Sequence, residues 1–75
     1  MKAIILNYTC DCVEVAVIPE EVIKDAEDAP SYSERIEKYL SKELGYYLDS
    51  INYLLSNEDR VPVYDTEHEE PITLI

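Results

Sequence analysis

Gly45 is the only glycine in a chain of 75 residues, and its position decides the architecture. It closes a segment that opens at Ser31-Tyr32-Ser33-Glu34, directly after Pro30. Ser31 and Glu34 match a capping box: the hydroxyl can take the amide of residue 34 while the carboxylate reaches back. Ile36, Tyr39, Leu40 and Leu44 then recur at helical spacing, and Glu34 stands four residues before Lys38 in the favourable order. A glycine just past such a run supplies the left-handed residue that ends a helix. Beyond Gly45 the composition changes. Tyr46, Tyr47, Tyr53, Asp49, Ser50 and Asn52 are mediocre helix formers. Ile51, Tyr53 and Leu55 alternate as a strand face does. Ser56-Asn57-Glu58-Asp59 and then Val61-Pro62-Val63-Tyr64 complete the pattern of a hairpin.

A competing reading runs one helix through to Leu55. Leu44, Tyr47, Leu48, Ile51, Leu54 and Leu55 also keep helical spacing, and Tyr32, Tyr39, Tyr46 and Tyr53 fall seven residues apart. The break at Gly45 is preferred on physical grounds. One hairpin beneath one helix makes a thin core, whereas a second hairpin gives the sheet enough strands to be stable.

The first part of the chain reads as a hairpin of residues 3–9 and 13–18. With Cys10 and Asp11 as the central turn residues, Tyr8 faces Val13, Leu6 faces Val15 and Ile4 faces Val17, which makes one face wholly apolar. The other face pairs Asn7 with Glu14, Ile5 with Ala16 and Ala3 with Ile18. A slip of one residue would mix the two sets, so the pattern favours this register. The second face is partly apolar, which implies partial covering or an interface. Pro19 ends the second strand because it cannot donate to the ladder. Pro19-Glu20-Glu21 opens a short helix that docks through Val22, Ile23 and Ala26, and residues 25–30 read as a solvated loop. Residues 65–71 form an acidic loop, and Ile72, Leu74 and Ile75 add a short strand or pack on a neighbour.

The fold expected is therefore α+β: one small domain, an antiparallel sheet of two β-hairpins with one main helix between them (ββαββ). The alternative is one hairpin packed on a single long helix 31–55 plus a short C-terminal strand. Residues 1–64 make the domain, and residues 65–75 are an acidic C-terminal segment with an apolar end.

Charge narrows the function classes. Seventeen acids against six bases leave a net charge of −11. The excess lies in residues 20–28 and 58–70, which read as irregular, while residues 34–43 are nearly balanced. Such a net anion is repelled by nucleic-acid backbones and by anionic membrane surfaces. The first apolar run is too short for a secretory signal, and none approaches the ~20 residues that span a bilayer. A cytoplasmic chain is expected, with Cys10 and Cys12 as reduced thiols.

The chemistry-bearing residues are sparse. Cys10-Asp11-Cys12 lacks the two-residue spacing of zinc knuckles and of dithiol active sites, and no second ligand pair exists. His68 stands among Glu67, Glu69 and Glu70 as a solvated loop residue, with no nucleophile motif before it. Seventeen acids make chance carboxylate pairs common, and there is no glycine-rich phosphate loop. No enzyme, metal or cofactor is expected. What remains is a non-enzymatic protein–protein interaction module with a basic protein partner steered by the acidic loops. Tyr46, Tyr53, Glu20, Glu21, Asp25, Glu67, Glu69 and Glu70 are its candidate contact residues, the tyrosines because they offer rigid area with a polar tip. The alternative is a nucleic-acid mimic, its carboxylates occupying the basic DNA or RNA site of a larger enzyme. A homodimer is also expected, formed through Ala3, Ile5, Ala16 and Ile18 and through the apolar C-terminus, because one helix cannot cover both faces of a sheet.

Overall fold

In the computed structural model, which describes residues 1–67 and 69–75, the chain opens with an antiparallel hairpin, β1 (Lys2–Asn7) and β2 (Cys12–Val17). The turn spans residues 8–11, so Asn7 pairs with Cys12, Ile5 with Glu14 and Ala3 with Ala16. This is two residues away from the register read from the sequence, which assumed a two-residue turn. The four-residue turn is held locally. The Asn7 side chain accepts the Thr9 N–H at 3.0 Å and donates to Glu14 Oε1 at 2.8 Å. Asp11 takes the left-handed conformation, with φ of 53°, as a short polar side chain can. Because side chains alternate with period two, a shift of two keeps every residue on its expected face.

The chain then forms two helices; the short helix expected after Pro19 is present but runs on to Asp28, through residues expected as loop. The first, α1 (Glu20–Asp28), starts at Pro19, whose carbonyl accepts the amides of Val22 and Ile23. Val22 and Ala26 are buried, and the acidic stretch 20–28 is therefore helical, not irregular. Three apolar residues at helical spacing, Val22, Ile23 and Ala26, outweigh the charge repulsion along its outer side. The second helix, α2 (Tyr32–Lys38), begins as the capping box requires: Ser31 Oγ accepts the Glu34 N–H at 3.3 Å. It widens into a π-turn over Tyr39–Glu43 and stops at Gly45, whose φ is +80°. The Tyr46 N–H donates back to the Leu40 carbonyl at 3.0 Å, which closes the helix end. The break at Gly45 is thus observed, and no helix runs to Leu55.

After a 3-10 turn at Leu48–Ser50, β3 (Ile51–Ser56) returns to the sheet. It does not form a hairpin with residues 61–64. It pairs antiparallel with β1, placing Ile5 opposite Tyr53 and Ile4 opposite Leu54, so the strand order is β2-β1-β3. A central β1 satisfies its hydrogen-bonding groups on both edges, a better outcome than a separate second hairpin with two open edges. The segment expected to pair with β3 instead meets the C-terminus: β4 (Pro62–Val63) pairs with β5 (Thr73–Leu74) in a small second sheet. The architecture is mixed α+β, but the ββαββ arrangement is replaced by a three-stranded sheet, two helices and a terminal ribbon. Lys2 ties the ribbon to the sheet, its Nζ donating to the carbonyls of Asp59 and Ile75.

The core lies between the helices and one face of the sheet. It consists of Ala3, Ile5, Ile18, Val22, Ala26, Ile36, Tyr39, Leu40 and Ile51. Ile5, Ile36 and Leu40 are fully buried, each contributing about 1.5–3 kcal/mol from burial. An ion pair from Arg35 Nε to Asp25 Oδ2, 3.0 Å long, links α1 to α2. Ala3, Ile5 and Ile18 are therefore interior, and Ala16 packs against them. They cannot form the dimer surface expected from the sequence.

Candidate functional site: the bare face of the sheet

Both helices pack on one side of the sheet, which leaves the other side open. Its residues follow from the register. Val13, Leu6 and Asn52 form one cross-strand row; Val15, Ile4 and Leu54 the next; Val17, Lys2 and Ser56 the last. Leu6, Val13, Val15, Val17 and Leu54 are between 45% and 75% exposed. Together with half-buried Ile4 they leave on the order of 500 Å² of apolar surface bare, toward the top of the range of about 300–600 Å² for the largest patch of an ordinary monomer. Tyr8 caps one end of the patch, where Asn52 Nδ2 donates to its hydroxyl at 2.8 Å. A shallow groove lined by Ile4, Leu6, Asn52, Tyr53 and Leu54 crosses it. These rows contain no carboxylate, and Lys2, their one charged residue, is engaged by the ribbon carbonyls. This is the face that the sequence marked as wholly apolar and that reads as core. Its exposure was missed.

The residues singled out from the sequence lie elsewhere. Tyr46 and Tyr53 are half-buried and pack against the core from the helix side. The Tyr46 hydroxyl donates to Glu14 Oε2 and the Tyr53 hydroxyl to Glu37 Oε1, each at 3.2 Å. Burial raises the pKa of both phenols, and the adjacent carboxylates, Glu14 and Glu37, raise it further. Each pair favours the protonated phenol, which can donate. Glu20, Glu21 and Asp25 are exposed on α1, and Glu67, Glu69 and Glu70 are exposed near the C-terminus. The structure does not gather these six acids and two tyrosines into one surface patch with the bare face. His68 lies outside the described residues.

Cys10 and Cys12 are joined in a disulfide across the turn, with Cα atoms 5.4 Å apart. The expected reduced thiols are therefore not found. The reason is local: left-handed Asp11 folds the turn so that its two neighbours project together. Glu14 approaches them, and the donor atoms of Cys10, Cys12 and Glu14 lie within 4.8 Å of one another, the arrangement a metal ion could use. Bonded sulfurs are not thiolates, however, and the thiolate is the ligating form. Glu14 is also committed to Asn7 and Tyr46. Glu14 joins the cysteines through strand parity, two residues after Cys12 on the same side of β2.

No helix among the described residues is long and apolar enough to cross a membrane. Compared with known proteins, the chain matches no family model, no curated protein and no solved structure.

Proposed function

We propose that the chain is a small acidic, non-enzymatic protein–protein interaction module that docks through the bare face of its sheet. One observation carries this reading: a three-stranded face dominated by Val, Ile and Leu, with no carboxylate in its rows, in a chain of net charge −11. Apolar surface of this extent, toward the upper end for a monomer, is often functional. The acids of α1 ride on the opposite layer, where they keep the free chain apart from its own kind and from other anions. Electrostatics thus governs what the module avoids, and the apolar face governs what it binds.

Photo-crosslinking in cells tests the reading. A benzophenone side chain at Val15, on the bare face, is expected to give discrete adducts, and the same group at Glu27, on the outer side of α1, is not. Equal labelling at both positions, or none at Val15, overturns it.

A further inference from the structure

Resting on that reading, we infer that the occupant of the bare face is a second copy of this chain, packed sheet to sheet about a two-fold axis. Three observations favour a copy over a different partner. The first is charge. A basic partner would be drawn to the acids of the helix layer, whereas the bare face offers Ile4, Leu6, Val13, Val15, Val17 and Leu54 and no carboxylate. Two chains of −11 meet most readily where neither carries its charge; here the nearest acids, Asp11 beside Leu6 and Val13 and Glu58 and Asp59 beside Val17, border the two ends of the face.

The second is geometry. Two sheets packed face to face sit about 10 Å apart, and each sheet carries its helices on the far side. The helix layers of the pair would then stand about 30 Å apart, some three Debye lengths at 0.1 M salt. The arrangement buries the apolar faces and moves the acidic layers to the two outer surfaces. Rows rich in β-branched residues suit such packing, since stiff side chains lose little freedom when they interdigitate.

The third is size. About 500 Å² from each copy buries roughly 1,000 Å² in all, the lower bound of a specific interface. The complex is therefore a weak, concentration-dependent dimer. The ribbon of β4 and β5 meets the Lys2 end of the same face, where Glu58 and Asp59 lie beside Val17 and bound the contact.

Sedimentation equilibrium of the purified chain tests this over a range of concentrations, at low and at high NaCl. The expected result is a monomer–dimer equilibrium that tightens with salt and is weakened at least tenfold by Val15→Lys. Val17→Glu, at the most exposed position of the rows, should act in the same direction, and circular dichroism melting confirms that each variant is folded. A dimer unaffected by two folded variants overturns the assignment of this face. A monomer at every concentration and salt level overturns the second copy. The in-cell adducts at residue 15 then separate the two ideas: an adduct that is not twice the mass of the chain keeps the interaction module and discards the dimer, and the absence of any adduct discards both.

Discussion

Ile5 and Leu6 are neighbours in β1, yet Ile5 is fully buried and Leu6 is 45% exposed. The same contrast repeats across the sheet. Ala3, Ile18 and Ile51 belong to the core, while Val13, Val17 and Leu54 project into solvent. Hydrophobicity does not distinguish the two faces: each carries a few polar residues among mostly apolar ones. What separates them is the covering layer. Small Ala3 and Ala16 let the helices approach closely, and Val22, Ala26, Ile36 and Leu40 descend onto them. The covered face holds the fold together, and the open face is left bare.

The largest test of that contrast is a pair of truncations. Ile5→Ala should cost about 2–5 kcal/mol in unfolding free energy, because it opens a cavity beneath the helices. Val17→Ala, at a side chain 75% exposed, should cost less than about 0.5 kcal/mol in the monomer. Urea denaturation at low protein concentration measures both, and similar costs would erase the distinction between the faces.

The covering layer itself can be weakened at its ends. Gly45→Ala should destabilise by about 1–2 kcal/mol, since a Cβ is disfavoured in the left-handed region. A Cβ there would meet no neighbouring atom within 4 Å, so the cost would be purely conformational. Ser31→Ala should remove about 1 kcal/mol by freeing the Glu34 amide; an unchanged denaturation midpoint would show that water replaces the cap.

Two smaller effects concern charge on the covered side. Tyr46 and Tyr53 have pKa values raised above the ordinary 10.0. Their contribution to stability is fully present below the unfolded value and fades as pH rises through the folded one. Ultraviolet titration of tyrosinate should show these two phenols ionising late, and Glu14→Gln should bring Tyr46 back toward its ordinary value. Finally, the melting temperature should rise modestly with added NaCl as screening relieves the self-repulsion of a net charge of −11. A falling trend would mean that attraction, not repulsion, dominates the surface.

The sequence held more of this fold than of its site. Ser31, Glu34 and Gly45 marked both ends of the second helix because caps are local chemistry. Strand parity in the first hairpin was legible, since only the turn length was misjudged and the error was an even number. Which face turns inward was not. Asn7 and Glu14 made the true core face look only partly apolar, covered in part or held for an interface, but they lie at one end of the strands, where Asn7, Tyr46 and Glu14 satisfy one another. The pairing of β3 with β1 was illegible for a different reason: it joins segments more than 40 residues apart, and nothing local distinguishes it from pairing with residues 61–64. The exposed site followed from that pairing and was hidden with it.

The central place of β1 carries a consequence for synthesis. Of the three strands of the sheet, the one translated earliest is the one that must be flanked on both sides. β2 follows within a few residues, but the opposite edge of β1 waits for β3, more than 40 residues later. At about 5–20 residues per second, that edge stays open for some seconds on the nascent chain, with Ile4, Ile5 and Leu6 beside it. During this interval the growing polypeptide is a strand acceptor. Polysomes, which hold several such chains close together, are where pairing between the wrong molecules would begin.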